Sequence, residues 1–355
     1  MKVLITGGAG FVGSSLARQL VEASGRSVEV VAFDNLRRRG SELNLKLFKK
    51  LGIRFIHGDI RTLSDITACG EDFDLFIEAS AEPSVHAGMK GDPDYVVHTN
   101  LLGTYNCLKF AQQRTRKFVF LSSSRVYSIA PLRELALAET ASRFAIKPEQ
   151  TVPGVSSAGI SEEFATYLPR SFYGATKLAS EYLVQEFTAG YGLDSVIYRC
   201  GVIAGPGQFG TVDQGVFTLW VAHHYFGKPL QYRGFGGKGK QVRDLLHPAD
   251  LFALITRYYN NEGSNPGTVY NVGGGNEVST SLCELTDLCR HIVGKQVPVT
   301  AIPDTAAVDI PIFITDYRRI ASETRWKPSH NVEQIVSETF DWIRQNEADL
   351  QRIFE

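Results

Sequence analysis

Short apolar runs alternate with amphipathic stretches through the first half of the chain. Runs such as "KVLIT" at 2–6 are apolar at nearly every position, which is typical of strands buried on both faces of a parallel sheet. The predicted strands are 2–6, 28–34, 53–59, 73–80, 117–124 and 194–205. The predicted helices are 14–24, 100–113, 173–190, 281–294 and 331–345. The alternation predicts an α/β fold with a doubly wound parallel sheet of the Rossmann type, right-handed crossovers and a smaller C-terminal α/β domain.

One long stretch interrupts the alternation. Residues 128–170 contain four prolines and the sequence "GVSSAG", which predict an irregular excursion. Loops of this length in a compact domain are usually either functional or disordered. Because this one immediately precedes the candidate tyrosine Tyr173, we expect it to be a lid.

Composition and charge exclude several classes of protein. Hydrophobic residues make up 43% of the 355 positions, so a sizeable core can be buried, and the formal net charge of −1 favours neither a nucleic-acid nor a membrane partner. The five cysteines are odd in number and form no CxxC pair, so we predict no disulfide framework and no metal site. Cys283 and Cys289 are expected to be buried apolar residues. With no secretory signal and no apolar run of the roughly 20 residues that a membrane span needs, we expect a cytoplasmic protein.

A glycine pattern follows the first predicted strand. "GGAGFVG" places Gly7, Gly10 and Gly13 between that strand and a helix, where glycine permits a tight turn and the helix N-terminus can receive a pyrophosphate. Asp34 ends the next strand, where a carboxylate can accept both ribose hydroxyls of an adenosine. That carboxylate would repel a 2′-phosphate, so NAD is predicted rather than NADP. The arginines at 37–39 either form a solvated loop or favour that phosphate.

Two further strand ends fit a dinucleotide. Asp59 follows the third predicted strand, where it either holds an adenine amino group or caps a helix. The small residues of "EASAEPS" at 78–84 leave room for a cofactor to lie across the sheet.

Candidate chemistry lies at the start of the helix at 173–190. Tyr173 and Lys177 are four residues apart and share one helix face. A tyrosine has an ordinary pKa of about 10, and a nearby ammonium or a positively charged nicotinamide favours its phenolate. Such a tyrosine can take the proton from a sugar hydroxyl while a hydride leaves for NAD⁺. The serines at 122–124, at the end of the fifth strand, supply a partner hydroxyl.

As a set, "GGAGFVG", "SSS…VY", "YGATK" and "R…GP" at 199–206 resemble the extended short-chain dehydrogenase/reductase family of nucleotide-sugar epimerases, dehydratases and reductases. The resemblance implies that Ser123 is the catalytic hydroxyl, Tyr173 the acid/base and Lys177 the group that lowers its pKa. It also implies a homodimer formed through the helices at 100–113 and 173–190. The expected cofactor-binding residues are Gly7, Gly10, Phe11, Val12, Gly13, Asp34, Asn35, Arg38, Asp59, Ile60, Ala79, Ala81, Asn100, Tyr173 and Lys177. The expected substrate-binding residues are Glu82, Ser124, Arg125, Val202, Gln208, Gln214, Arg233 and Arg243.

Under this resemblance, 1–200 and 241–275 form the NAD-binding domain, and 201–240 and 276–355 form the nucleotide-sugar-binding domain. Cations are frequent from Arg233 to Arg243, including Lys238 and Lys240, and are suited to a diphosphate; a solvated loop is the alternative. Arg243 is the residue that the resemblance assigns to the diphosphate.

Several polar and aromatic positions keep two interpretations. Gln208 and Gln214 flank the stretch 209–213, which we expect to be flexible, and either bond sugar hydroxyls or are structural. Phe217 and Trp220 are expected to be core residues.

The sequence departs from the family pattern at three places. Dehydratases carry Asp-Glu after the catalytic hydroxyl, whereas this chain has Ser124 and Arg125, so dehydration is disfavoured. Val202 replaces a usual asparagine, and Ile310 with Pro311 stands where an arginine is common near Asp309.

The sequence therefore predicts an NAD-dependent nucleotide-sugar epimerase that works through a transient ketone. Within this family, "FDNLRRRG" at 33–40, "HGDIR" at 57–61, "VDQGVFTLW" at 212–220 and "GKQVRDLLH" at 239–247 resemble epimerases that act on CDP-deoxyhexoses, and that resemblance implies inversion at C2 of a sugar such as CDP-paratose. Three alternatives stay open: C4 chemistry on a UDP-hexose or UDP-uronate, a net oxidoreductase, and a non-catalytic cofactor-binding protein.

Overall fold

A seven-stranded parallel sheet forms the centre of the molecule. The computed structural model describes residues 1–24, 27–89, 91–211, 214–263 and 265–354. The strands of the sheet are β1 Lys2–Thr6, β2 Glu29–Asp34, β3 Arg54–His57, β4 Phe73–Glu78, β5 Thr115–Ser123, β6 Asp194–Cys200 and β7 Thr268–Val272. Their order is β7-β6-β5-β4-β1-β2-β3, and neighbours are parallel throughout. The predicted doubly wound sheet is confirmed. The strand order reverses between β1 and β4, where ligands of such sheets bind.

Helices cover both faces of the sheet. The helices are α1 Phe11–Ser24, α2 Asn44–Leu51, α3 Leu63–Thr67, α4 Asp94–Val97, α5 Gly103–Arg114, α6 Ile129–Arg133, α7 Phe172–Tyr191, α8 Val216–Phe226, α9 Pro248–Tyr259, α10 Leu282–Val293, α11 Arg318–Thr324, α12 Val332–Gln345 and α13 Glu347–Phe354. Val3 and Ile5 of β1 face a core shared with α1, α2 and α9, whereas Leu4 faces α3, α5 and α7. This alternation is why β1 is apolar at consecutive positions. No helix of the described residues is long and apolar enough to span a membrane.

A second core lies beyond the carboxyl ends of the strands. It is built from α8, α10, α12 and α13. Small sheets complete this region, with strands at Val202–Ile203, Leu230–Arg233, Val242–Leu246, Ser279–Ser281, Val299–Ile302 and Ile312–Phe313. Ile320 and Trp326 instead pack in the core of the central sheet. The division into two domains stays a prediction. By their packing, Ile320 and Trp326 belong with the NAD-binding domain, although the predicted boundary assigns them to the nucleotide-sugar-binding domain.

The excursion at 128–170 is folded. After α6 it forms two short hairpins, Leu137–Glu139 with Phe144–Ile146 and Val155–Ser156 with Gly159–Ile160. The Ile160 amide donates to the Ile314 carbonyl at 2.8 Å, and the Phe144 amide donates to the Lys240 carbonyl at 3.0 Å. Its apolar side chains share a core with those of 310–314. The excursion is therefore docked on the C-terminal region at both hairpins.

Candidate active site

Two adjoining cavities open at the carboxyl ends of the strands. The larger encloses about 1450 Å³ and the smaller about 330 Å³, and Phe11, Val12, Ala79, Gln208 and Gln214 line both. The smaller cavity is lined by the predicted cofactor residues Gly7, Gly10, Phe11, Val12, Gly13, Asp34, Asn35, Arg38, Asp59, Ile60, Ala79 and Ala81. The larger is lined by Ser123, Ser124, Arg125, Tyr173, Lys177, Val202, Gln208, Gln214, Arg233 and Arg243. The structure thus collects almost all of the predicted residues at one edge of the sheet.

The glycine turn between β1 and α1 forms the floor of the smaller cavity. Gly7 has a φ of +64°, and a Cβ there would lie 2.7 Å from the Ala79 carbonyl oxygen. A Cβ on Gly13 would lie 2.2 Å from the Gly7 carbonyl oxygen, so only glycine lets the first turn of α1 pack against β1. Asp34 stabilises the turn by accepting from the Ala9 amide at 3.1 Å, and burial raises the pKa of Asp34. The N-terminus of α1 is consequently presented to the cavity.

Asp59 is fixed as a charged group beside Asp34. Its carboxylate accepts from Asn35 at 2.9 Å and from Arg61 at 2.7 Å. Although burial raises it, these hydrogen bonds lower the pKa of Asp59 to about 2. The N-cap residue of α3 is Thr62, so the alternative of Asp59 as the cap of this helix is wrong.

A side-chain bridge forms part of the wall of the smaller cavity. The Arg38 guanidinium donates to the Gln214 side-chain oxygen and to the Phe209 carbonyl, the latter at 3.1 Å, and all three residues line the cavity. Arg37 lies 3.9 Å from the centroid of the Tyr95 ring. The interpretation of 37–39 as a solvated loop is therefore wrong for Arg38, whereas Arg37 is exposed as that interpretation predicts.

Tyr173 is placed by the first turn of α7. Ser171 caps the helix by accepting from the Gly174 amide at 3.2 Å. A Cβ on Gly174 would lie 2.0 Å from the Arg125 carbonyl oxygen, so glycine lets α7 approach the end of β5 closely. Ser123 and Tyr173 both line the larger cavity, and the Ser123 hydroxyl is near enough to lower the pKa of Tyr173.

The protein alone keeps this phenol neutral. Burial raises the pKa of Tyr173, while the Ser123 hydroxyl and the charge of Arg125 lower it less. We expected Lys177 to supply the cation that acidifies Tyr173. The charge of Arg125 also favours the phenolate, and the role of Lys177 stays a prediction.

Lys177 lies deeper, with only 2% of its surface exposed. Its ammonium is 4.5 Å from the centroid of the Phe120 ring. Burial lowers the pKa of Lys177, and the charge of Glu78 opposes that shift. Glu78 ends β4, is fully buried and accepts from Thr104 at 3.1 Å. Sequence reasoning missed Glu78, although a carboxylate inside the apolar run "FDLFIEAS" was a visible signal.

A buried network separates the roles of the serines. Ser122 donates to Glu181 of α7 at 2.5 Å, and Glu181 is paired with Arg199 of β6 at 2.7 Å. Arg199 also donates to the Tyr127 hydroxyl at 3.2 Å. Ser122 is thus committed to holding β5 against α7, which leaves Ser123 to contact Tyr173.

Asn100 does not line either cavity. Its side chain accepts from the Glu82 amide at 2.8 Å and donates to the Glu82 carbonyl at 3.0 Å. Asn100 therefore supports the segment after β4 from behind. Glu82, predicted to bind substrate, lines the smaller cavity instead.

The side chain of Gln208, a predicted substrate contact, already forms hydrogen bonds within the protein. Gln208 accepts from Thr218 at 2.7 Å and donates to the Ile203 carbonyl at 3.0 Å, as its structural interpretation predicts. Phe217 and Trp220 are buried in the second core and also line the larger cavity.

Cys283 is only partly buried, unlike Cys289, so the expectation of a buried Cys283 is wrong. Within the stretch 209–213, Val212 and Asp213 lie outside the described residues.

Two predictions about the surroundings of the site are wrong. Lys238 and Lys240 pair with Glu139 of the excursion, at 3.4 and 2.8 Å, and neither lines the larger cavity. Among the described residues, none from 128–170 lines either cavity, so the excursion is a support on the C-terminal region and not a lid.

Residues 3–273 match the sequence profile of the NAD dependent epimerase/dehydratase family. The chain is 29% identical over 353 residues to the CDP-paratose 2-epimerase of Salmonella typhi, covering 96% of this chain and 99% of that protein. It is 29% identical over 369 residues to the dTDP-glucose 4,6-dehydratase of Salmonella typhimurium, covering 98% of this chain and 93% of that protein. The solved structure of the Thermus thermophilus UDP-glucose 4-epimerase in complex with NAD is 25% identical, with a TM-score of 0.77 over 97% of this chain and 99% of that one.

Proposed function

The chain belongs to the NAD dependent epimerase/dehydratase family, and from that premise we propose that it inverts C2 of CDP-paratose or of a closely similar CDP-deoxyhexose. The family resemblance in the sequence motifs is confirmed, and NAD is the cofactor. The choice of CDP-paratose is supported by the similarity to the Salmonella typhi enzyme, which spans both chains almost completely.

The smaller cavity fits a dinucleotide. A glycine turn that no Cβ could occupy faces the N-terminus of α1, and Asp34 lies at the end of β2. Gly7, Gly10 and Gly13 would hold the pyrophosphate, and Asp34 the adenosine ribose. When bound, NAD⁺ supplies a hydride acceptor and a positive charge.

Three residues of this chain would carry the proton chemistry. Tyr173 would take the proton of the sugar hydroxyl at its phenolic oxygen and give it back after the ketone has presented its other face. Ser123, which lines the larger cavity with Tyr173, would orient the substrate hydroxyl. Lys177 would keep its ammonium beside the nicotinamide ribose, supported by the charge of Glu78.

Loss of water from the sugar needs an acid and a base that this chain lacks at the corresponding positions. Dehydratases of the family carry Asp-Glu where this chain has Ser124 and Arg125, and both of these line the larger cavity. Neither a serine nor an arginine can act as a carboxylate base at neutral pH. Epimerisation is therefore favoured over dehydration.

One observation carries the proposal: Ser123, Tyr173 and Lys177 meet in a large cavity that adjoins the glycine turn, with Arg125 in the place of an acid. The test is to incubate the purified protein separately with CDP-paratose, UDP-glucose and UDP-glucuronate and to analyse the recovered sugars by NMR. We expect inversion at C2 of CDP-paratose without accumulation of NADH. Inversion at C4 of a UDP sugar alone would exclude the proposed substrate, and steady NADH accumulation would indicate a net oxidoreductase.

A further inference from the structure

Two guanidinium groups line the larger cavity beside the candidate catalytic tyrosine. Arg125 lies in the turn after β5, and Arg243 lies on the strand Val242–Leu246. Burial and the like charge of Arg125 lower the pKa of Arg243, and burial also lowers that of Arg125. The charge of Asp309 opposes both shifts. Two cations thus share one nearby carboxylate.

Both guanidinium groups have N–H donors that are not used in hydrogen bonds to the protein. Arg125 donates to the Val308 carbonyl at 3.3 Å, and Arg243 donates to the Ile310 carbonyl at 2.9 Å and the Val242 carbonyl at 2.7 Å. A guanidinium has five N–H donors. Within the described ranges neither arginine has an acidic partner within 4.0 Å. The remaining donors are available to an anion in the cavity that both residues line.

The anion that suits this pair is a phosphate. Arginine forks match phosphate oxygens in a bidentate manner, and two adjacent cations suit a group that carries more than one negative charge. An anion bound there would also relieve the mutual repulsion of Arg125 and Arg243.

Arg125 is close to the reacting atoms. Its backbone amide donates to the Ser123 hydroxyl oxygen at 3.1 Å, and its carbonyl packs directly on Gly174, the residue after Tyr173. The Arg125 side chain and the Tyr173 phenol line the same cavity, and each acts on the pKa of the other, so an anion held by Arg125 would share that cavity with the phenol. In a nucleotide sugar the phosphate is attached to C1, so C2 is its neighbour, whereas C4 is across the ring.

We propose that Arg125, together with Arg243, holds the phosphate attached to C1 of the sugar, so that C2 is the carbon facing Tyr173. This inference rests on the proposed function, and it names the residue that would select C2 over C4. The alternative anion next to a reacting carbon is the carboxylate of a uronate, which neighbours C4.

Nucleotides without a sugar test the assignment directly. The affinities of the NAD-loaded protein for CDP and CMP would be measured by calorimetry, with UDP/UMP and dTDP/dTMP used if cytidine nucleotides do not bind. Arg125→Gln should weaken diphosphate binding about 10- to 100-fold, as expected for one lost charge-assisted contact, and leave monophosphate binding unchanged. Arg125→Lys should recover only part of the lost affinity, because lysine keeps the positive charge but cannot form the bidentate contact of a guanidinium.

A control separates this effect from loosening of the 306–310 segment. Arg133→Gln removes donors to the Asp309 and Ala306 carbonyls without changing a residue that lines the cavity, and it should leave CDP affinity unchanged. Unchanged CDP affinity in both Arg125 variants, or an equal loss with CMP, would overturn the assignment. So would a loss confined to UDP-glucuronate.

Kinetic isotope effects identify the carbon that reacts. Nucleotide sugars deuterated at C2 or at C4 should show a primary isotope effect on inversion only with the C2 label, and an effect confined to C4 would overturn the inference. Failure of the proposed function gives a different result, because no sugar would be inverted while the discrimination of CDP from CMP by Arg125 would persist.

Discussion

At the scale of single residues, the site depends on a phenol whose surroundings oppose its ionisation. Burial raises the pKa of Tyr173, and Ser123 and Arg125 only partly compensate. The phenolate is therefore disfavoured until positive charge is added close to the ring, which bound NAD⁺ supplies. Deprotonation is thereby tied to the oxidised cofactor.

Removal of the phenolic hydroxyl should abolish this proton transfer. Tyr173→Phe is expected to lower kcat about 10²- to 10⁴-fold, the usual contribution of a general acid–base group, with little change in nucleotide affinity. Tyr182→Phe on the exposed side of α7 is the matched control and should keep full activity. Equal activity of the two variants, measured by NMR of the recovered sugar, would remove Tyr173 from the mechanism.

Sequence motifs predicted the residues whose chemistry is local and missed those whose role depends on the fold. The pairing of Tyr173 with Lys177 follows from helix geometry. The charge of Arg125 near Tyr173 and that of Glu78 near Lys177 arise only when β5 and β4 end beside α7. Likewise, Lys238 fits a diphosphate by composition, but the position of Glu139 is visible only in the fold.

At the scale of elements, two histidines join α9 to α12. His247 caps α9 by accepting from the Ala249 amide at 3.2 Å, and its ring stacks on that of His330 with 4.1 Å between centroids. His330 is 3.0 Å from Asp250, and Glu338 of α12 is 3.4 Å from His247. Burial, followed by the charge of His330, lowers the pKa of His247 to about 4, whereas Asp250 raises that of His330. The charge of Asp250 opposes this shift in His247, and that of Arg18 adds to it.

These shifts make stability depend on pH in opposite directions. An unfolded histidine has a pKa of about 6.5, so as pH falls from about 6.5 to 4 the unfolded chain takes up a proton that folded His247 refuses, and stability is lost. His330 adds stability below pH 6.5 that disappears as pH rises through its raised pKa.

His247→Asn should keep the cap, because asparagine is a good N-cap residue, and remove the proton uptake. We expect this variant to lose less stability than the parent between pH 6.5 and 4, by on the order of 2 kcal/mol, measured from urea midpoints. His330→Asn should have the opposite effect and become relatively less stable in acid. Parallel pH profiles for all three proteins would contradict the assignment of these pKa shifts.

Most strands of the sheet and five helices were predicted, but the amphipathic helices α2, α9 and α13 were missed. The strands of the sheet that were predicted match within a few residues, apart from 194–205, which ends at Cys200 and resumes as the separate strand Val202–Ile203. The helix α8 was not predicted because "VFTLWVAHHYF" is apolar all round, since it is buried between α10 and α12. The hairpins of the excursion depend on partners distant in the chain, such as Ile314, which local sequence does not reveal.

At the scale of the whole molecule, α5 and α7 present an apolar surface. The two helices pack side by side, with the Tyr105 and Phe187 rings 6.2 Å apart. Tyr182 is 56% exposed and Tyr105 41% exposed, and Leu102 and Phe172 are exposed nearby. Exposed apolar patches of this kind mark interaction sites. We propose that a second copy of the chain covers this surface, as the sequence resemblance implies.

Charge on that surface should prevent dimer formation. The parent protein is expected to sediment at twice the 39.2 kDa of one chain, and Tyr182→Glu combined with Leu102→Glu should sediment as a monomer. Circular dichroism of the variant should stay unchanged, since both side chains are exposed. A parent that sediments as a monomer, or a variant that keeps the parent's mass, would exclude this interface.

The bridge from Arg38 to Gln214 and Phe209 bears on whether the enzyme exchanges its coenzyme with the solution. If the bridge closes over a bound dinucleotide, the Arg38 contacts must break before the dinucleotide can leave, and we then expect protein purified from cells to carry its coenzyme and to work in buffer to which none has been added. One coenzyme molecule would then serve turnover after turnover, and the reaction would leave the cellular ratio of reduced to oxidised nicotinamide untouched.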